Sequence, residues 1–556
     1  MKTLNLIITF ILSLNIGISQ CTPFDGWMTD QIQVDYFKLV YPNCNIIKGN
    51  LSIRGNIKNI DSLYFIKKIE GDLFFTNADS LISLEGFKNL DTVTGSIFIS
   101  NANKLTNLEG LSNIKYFKSL YIKNNQKLIK INGFDNIVNN ISNIEIENNA
   151  NLSSIVGFKN TIGLNNLIIE YNRYINEIIA FDNVLYANVV SILRLDSLSS
   201  LKAMKKLKTV NDNLLFRGSE KLKSWEFGGN IDTIRNSLIL ASIGIDQMTG
   251  FSNLKACKYI EITAMINAES PPRFNNLEYA DEIKYYKNSF KRITNTLPKL
   301  KILKDIDFDD NDQCLVINDF NSLERVTNRI RIDNHLEPLS ELRGFEKLVF
   351  ANEIYFHATN ELKIFSAFQN LEEINHLELK WLRDGITHFN NFKNLKKINR
   401  NLILIGNTNI DDLSFLQGVN IDSVSKFAIY KNTKLSVCNH QTICDYLNTK
   451  DTINYNIQIY DNLTNCSSRE QILANCISSL DNAPKNEISV FPNPSDHILN
   501  IEGIENQVLC KIYDLTGKLI MKNLTSENKI DISSLKDGFY VLTIDELNLK
   551  YKFIKI

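Results

Sequence analysis

Apolar residues come in pairs separated by one position, and the pairs recur along most of the chain. Leu51-x-Ile53, Leu73-x-Phe75, Ile97-x-Ile99, Leu120-x-Ile122, Ile144-x-Ile146 and Leu167-x-Ile169 open the series. It continues more faintly through Leu193-x-Leu195, Leu214-x-Phe216, Leu238-x-Leu240, Ile260-x-Ile262 and Ile283-x-Tyr285. It sharpens again from Ile306-x-Phe308 to Ile457-x-Ile459. Each pair predicts a short strand with one face buried. In the stretch from Gly95 to Ile114 the strand is followed by Leu105, Leu108, Leu111 and Ile114. That three-residue rhythm predicts a tight, non-strand return path. One such turn cannot bury its own inner face, so it must stack on copies of itself. The period is about 23 to 24 residues. The prediction is a mainly β chain, a right-handed parallel β solenoid. About eighteen turns at ~4.8 Å each would stack to ~85 Å.

The return path repeats as well. Leu81, Leu105, Leu128 and Leu152 fall at one position. Phe87, Leu111, Phe134, Phe158, Phe181, Phe320 and Phe368 fall at another, often behind a glycine such as Gly86, Gly110, Gly133 or Gly157. The phenylalanines are expected in an internal column, the glycines in backbone a Cβ would forbid. Asparagines follow the strands at 56, 77, 101, 125, 149, 172, 288, 311, 407 and 432. A ladder of side-chain amides bonding the bent backbone is expected there.

The ends depart from the repeat. Residues 1–19 read as a signal peptide: Lys2, an apolar run from Leu4 to Ile18, and small residues before Gln20. No stretch supplies the ~20 apolar residues of a transmembrane helix. Residues 20–50 read as an N-terminal cap, with Thr29 and Asp30 ahead of a helix that Pro42 ends. Solenoid repeats occupy 51–432, a C-terminal cap 433–476 and a polar linker 477–486. Within that cap, Ser436 to Leu447 reads as a helix, and Ser467-x-x-Glu470 as the capping box of another. Residues 487–556 alternate in short strands, as in a small antiparallel β-sandwich. Six of the nine cysteines stand in the caps. Cys21, Cys44, Cys438, Cys444, Cys466 and Cys476 are disulfide candidates, and the last four allow three connectivities. Cys314 falls on a leucine position and is expected to be a buried thiol.

Charge adds little: 61 basic against 62 acidic residues excludes a basic nucleic-acid surface. The chain lacks HExxH, GxSxG, phosphate-loop and CxxC motifs, and its six histidines show no ligand spacing. No catalytic residue, metal or cofactor is therefore assigned. Asp307-x-Asp309-x-Asn311 starts like a calcium loop, but Asp312 replaces the needed glycine and no glutamate closes it. Lys284 and Arg331 on adjacent turns are expected to neutralise these carboxylates. Phe74, Phe98 and Tyr121 share one outward position on three consecutive turns and are the candidate ligand-binding residues. Tyr286, Tyr355 and Trp381 make a looser second group.

Phe117-x-x-Leu120-x-Ile122-x-x-Asn125 and Ile47-x-Gly49-Asn50-Leu51-x-Ile53 resemble the receptor L-domain type of leucine-rich repeat. That resemblance implies surface recognition and no particular ligand. The tail resembles the type IX secretion system C-terminal sorting domain. The matching segments are Phe491-Pro492-Asn493-Pro494, then Ile512 to Lys518 with Thr516-Gly517-Lys518, then Ile530 to Tyr540 with Gly538-Phe539-Tyr540, and Lys552-Phe553-Ile554-Lys555. It implies the secretion machinery as partner and a secreted or cell-surface destination. The sequence therefore reads as an exported protein that binds an extracellular protein or glycan and is not an enzyme. The alternative is a polysaccharide-active enzyme on a parallel β-helix.

Overall fold

The computed structural model describes residues 20–22, 26–333, 339–357, 362–382, 386–452, 454–481, 489–502, 507–525, 527–544 and 549–556. The expected signal peptide, His335 and the second half of the polar linker, 482–486, lie outside them. Two compact units result, Met1–Leu473 and Ala474–Ile556.

In the first unit one parallel sheet takes a strand from every turn, from Trp27–Met28 to Asn456–Tyr460. Each strand bonds the same positions of the turns before and after it. Leu120 pairs with Ile97 and Ile144, and Ile122 with Ile99 and Ile146. The marked apolar pairs therefore face inward, and nearly all are fully buried. One marker is corrected. At the seventh repeat the inward pair is Val190 and Ile192, which register with Leu167 and Ile169. Leu193 ends that strand facing outward, and Leu195 is buried beyond it. The Leu-x-Leu spelling misled because both leucines follow a genuine Val-x-Ile pair.

The return path is not uniformly strand-free as expected. Early turns carry 3-10 turns, Asp61–Leu63, Glu85–Phe87 and Glu109–Leu111. Middle turns carry a parallel sheet at that place instead, as in Lys130–Gly133, Ser154–Gly157 and Glu177–Ala180, and 3-10 turns return at Asn390–Phe392 and Ser414–Leu416. Pairs of β-branched residues such as Ile155-Val156 and Ile178-Ile179 favour that extended backbone, where two of the earlier turns have Glu-Gly and the first Asp-Ser.

Phenylalanines 134, 158 and 181 stack at 4.9 and 4.8 Å, and 320, 345 and 368 at 5.1 and 5.0 Å. They form separate columns, and each of these rings hangs from left-handed backbone. Tight turning is thus assigned to the aromatic residue as well as to glycine. Gly133 and Gly157 have positive φ, but Gly86 and Gly110 do not. A Cβ on those two would sit 1.8 Å from the Ile60 carbonyl oxygen and 1.9 Å from that of Leu84. Close approach of the preceding turn excludes it.

The asparagine ladder is real but shorter than the sequence suggested. Asn125, Asn149 and Asn172 are fully buried. Asn149 Oδ1 accepts the Asn125 backbone N–H at 3.1 Å, and its Nδ2 donates to the Ile122 carbonyl at 2.9 Å. The same pattern links Asn288 to Asn311, and Asn407 to Asn432 to Asn462. Asn56, Asn77 and Asn101 do not belong to it. Asn56 is exposed, Asn77 and Asn101 sit one position earlier in left-handed turns, and Ala78 and Ala102 take the buried site.

Asp30 caps the first helix, Gln31–Asp35, with Gln33 completing a capping box. The cap is stapled by Cys21–Cys44. At the other end Cys438 bonds Cys466, and Cys444 and Cys476 are also disulfide-bonded. The helices here are Gln441–Thr449 and Arg469–Asp481. The first starts later than the sequence suggested. The second is capped by Ser468, whose Oγ accepts the Gln471 N–H, one residue beyond the expected Ser467. Burial pushes the Cys257 and Cys314 thiols up to about 12, so neither is a nucleophile at neutral pH.

The second unit packs antiparallel sheets around Val490, Leu499, Ile512, Ile530, Leu542 and Phe553. A strand that the alternation did not mark, Lys529–Asp531, pairs with Ile498–Glu502.

Candidate functional site

Parallel in-register pairing fixes what the outer face of the long sheet can display. A side chain at one outward position has its equivalents one strand away on each side, close enough for rings to stack. Phe74, Phe98 and Tyr121 are held this way. Their ring centroids are 4.7 Å apart at each step, with planes 9° and 6° from parallel. All three are partly exposed. Beside them Lys123 bonds Glu145 at 2.5 Å and Glu147 at 3.1 Å. Burial works against its ammonium, but these carboxylates outweigh it and hold the pKa above the usual lysine value. A shallow hollow of about 350 Å³ is lined by Phe98, Ser100, Tyr121, Lys123 and Glu145.

Further along the same face lies a network of charge. The Arg331 guanidinium reaches Asp307 at 3.4 Å, Asp309 at 3.1 Å and Asp333 at 2.9 Å. Asp305 lies 4.0 Å from Arg329. The arginines are placed among the carboxylates from the adjacent turn, as the alternation of charge predicted. Burial still leaves Asp307 above its ordinary pKa despite Arg331 and Arg329. Glu378 accepts from His357 at 2.6 Å and Lys380 at 2.6 Å, and lies 3.4 Å from His376. These contacts outweigh its burial and hold it well below the usual carboxylate range. Burial would lower His357, but its bonds to Asp333 and Glu378 raise it to about 9. A raised histidine pKa stabilises fully below the ordinary value of ~6.5 and loses that contribution as pH rises through the folded value. Stability is therefore expected to fall between pH ~7 and ~9.5, and His357→Gln to flatten that slope. Hydrogen exchange of the Phe350–His357 strand against pH checks it.

The second aromatic group does not form. Tyr355 stacks on His376 at 4.5 Å, Tyr286 lies between Lys284 and Lys287, and Trp381 covers Gly406.

The tail residues singled out by motif all shape turns or edges. Between Pro492 and Pro494, Asn493 accepts the Ile554 N–H at 2.9 Å and donates to the Lys552 carbonyl at 3.1 Å. Asp514 accepts from the Thr516 and Lys518 N–H groups across the left-handed Gly517. Gly538 opens the strand Gly538–Ile544, and Tyr540 within it donates its hydroxyl to the Lys536 carbonyl at 2.9 Å.

Comparison with known proteins agrees with this reading of the tail. Residues 489–556 match the family described as Secretion system C-terminal sorting domain. The chain is a secreted or cell-surface protein exported by the type IX system, with a parallel β solenoid ahead of its sorting domain. No helix among the described residues is long and apolar enough to cross a membrane. A curated relative, Beta-agarase D of Zobellia galactanivorans, is 36% identical over 61 residues, 11% of this chain. The chain covers only 13% of that protein's length. Among solved structures, a leucine-rich repeat protein from Bacteroides ovatus is 15% identical, with 56% of this chain and 82% of that one covered and a TM-score of 0.24. TLR13 in complex with ssRNA13 is 12% identical, with 75% and 91% covered and a TM-score of 0.19. At such scores the assignment of the solenoid rests on its strand register alone.

Proposed function

We propose that the solenoid is a non-enzymatic recognition module that holds an extracellular macromolecule, protein or glycan, on the outward face of its long sheet. The observation that carries this is the partly exposed ladder of Phe74, Phe98 and Tyr121. Rings this close turn their faces to one another, so a ligand meets mainly their edges. Ring edges carry positive partial charge and suit carbonyl or hydroxyl oxygens. Lys123, Glu145 and Glu147 border the ladder and supply orientation.

The enzymatic alternative would draw first on the Asp305–Asp333 cluster. Converging carboxylates and arginines are what such an enzyme needs, and this observation speaks for it. Asp307, Asp309 and Asp333 are however all engaged by Arg331, whereas a general acid or base must be free to face its substrate. The agarase named above shares too short a segment to lend its activity.

The test is binding of the full exported chain to glycan and extracellular-protein arrays, beside a Phe98→Ala/Tyr121→Ala double variant. Loss of about tenfold or more in affinity is expected if the ladder is the anchor. Unchanged binding would remove the ladder from the site. Release of reducing ends from a polysaccharide would replace recognition with catalysis.

A further inference from the structure

We infer that His388, Asp411 and Asp412 form a binding site for a divalent transition-metal ion that ties two successive solenoid turns together. The repeat period places them side by side, since His388 lies in one turn and the two aspartates in the next. His388 Nδ1 stands 2.8 Å from Asp411 Oδ1 and 3.5 Å from Asp412 Oδ2. One ligand atom from each residue lies within 4.8 Å of the others. The Thr387 carbonyl oxygen is 2.8 Å from the same nitrogen and offers a fourth donor.

Three observations favour a cation over an ordinary ion pair. Tetrahedral ligands on bonds of ~2.0–2.1 Å lie ~3.3 Å apart, so these separations bracket the edge of a coordination shell. Asp411 Oδ1 is buried yet has no hydrogen-bond partner, although the imidazole nitrogen is so close. That nitrogen faces the Thr387 carbonyl oxygen at the same 2.8 Å, and one N–H cannot serve both acceptors, whereas a cation between them would. Asp412 is held in a ligating orientation. Its Oδ1 accepts from the Ser414 N–H at 2.8 Å and Oγ at 2.6 Å, leaving Oδ2 toward His388. Outer contacts of that kind aim metal ligands.

The donor set selects the ion. An imidazole nitrogen with two carboxylates suits Zn²⁺ or Mn²⁺, while Ca²⁺ and Mg²⁺ prefer oxygen alone. The site lies among return-path residues and is independent of the ladder.

The experiment uses the full exported chain without a histidine tag, stripped by chelator. Zn²⁺, Mn²⁺, Ca²⁺ and Mg²⁺ are added singly and followed by calorimetry and metal analysis. One Zn²⁺ per chain is expected, with at least tenfold weaker binding in His388→Ala and in Asp411→Asn. Absence of saturable uptake, equal uptake of Ca²⁺, or unchanged Zn²⁺ binding in both variants would overturn the site. Should a variant lose the solenoid's circular dichroism, carbethoxylation of His388 in the unaltered chain decides. Protection by Zn²⁺ supports the site, and unchanged modification overturns it.

Discussion

Asn149→Leu is expected to cost the solenoid about 3–5 kcal/mol of local stability, the sum of several buried hydrogen-bonding groups left unpaired. Asn149 is fully buried. Its Oδ1 accepts from the Asn125 N–H and from the Asn125 side-chain amide at 3.0 Å. Its Nδ2 donates to the carbonyls of Ile122 and Glu147. Leucine can serve none of these groups, and the bonds to Asn125 and Ile122 are buried away from water. Volume is not the issue, since Leu195 and Met265 fill the equivalent position in other turns and are buried there. The loss should be local, because a repeat array is held by nearest-neighbour contacts. Hydrogen exchange of the Asn125 and Asn149 amides, with urea unfolding followed by circular dichroism, measures it. Asn56→Leu is the control: Asn56 is exposed and outside the ladder, and a change within about 0.5 kcal/mol is expected. Equal behaviour of the two variants would mean that the buried amides hold no turns together.

The contrast between those two asparagines also shows what the chain disclosed beforehand. Inward apolar pairs were legible because a strand on a buried core must alternate, and the same core recurs every turn. The outward ring ladder was legible for the same reason: register carries Phe74 onto Phe98 and Tyr121 once the inward pairs are aligned. Asn77 and Asn101 were misread because they stand one place from the buried site, and composition alone does not resolve a one-residue offset. The Val190 and Ile192 pair was hidden by leucines spelling the same pattern three residues later. His388 escaped for a different reason. Ligand spacing within one helix or hairpin is short, and the histidines show none of it. In a solenoid, residues one full period apart become neighbours, so the pertinent spacing from His388 to Asp411 and Asp412 is the repeat itself. The charged network was half visible: alternating signs at Lys284, Asp307 and Arg331 announced pairing. That one guanidinium would gather three carboxylates depends on side-chain reach across two turns, which linear order does not state.

Glycine provides the sharpest separation of two mechanisms that look alike in sequence. Gly110 and Gly133 both precede the large apolar residue of their return paths. Gly133 has a φ of 99°, and an added Cβ would come no closer than 3.3 Å to Ser112. Gly133→Ala is thus expected to cost only the left-handed backbone penalty, about 1–2 kcal/mol. Gly110 has ordinary backbone, so a conformational argument alone would predict that alanine is harmless or stabilising there. Its Cβ would instead lie 1.9 Å from the Leu84 carbonyl oxygen, 2.1 Å from the Leu84 carbonyl carbon and 2.7 Å from the Glu85 nitrogen. All three are backbone atoms of the preceding turn and cannot rotate away. The turns would have to part by about an ångström, stretching the Leu84–Glu85 segment from which the 3-10 turn Glu85–Phe87 starts and loosening the packing of Phe87 and Leu111. Gly110→Ala is therefore expected to cost about 3 kcal/mol or more, at the upper end of overpacking penalties. Urea unfolding of both variants, read with exchange of the Phe87 and Leu111 amides, ranks them. A smaller loss in Gly110→Ala than in Gly133→Ala would show that the stacked turns yield more readily than their contact distance allows.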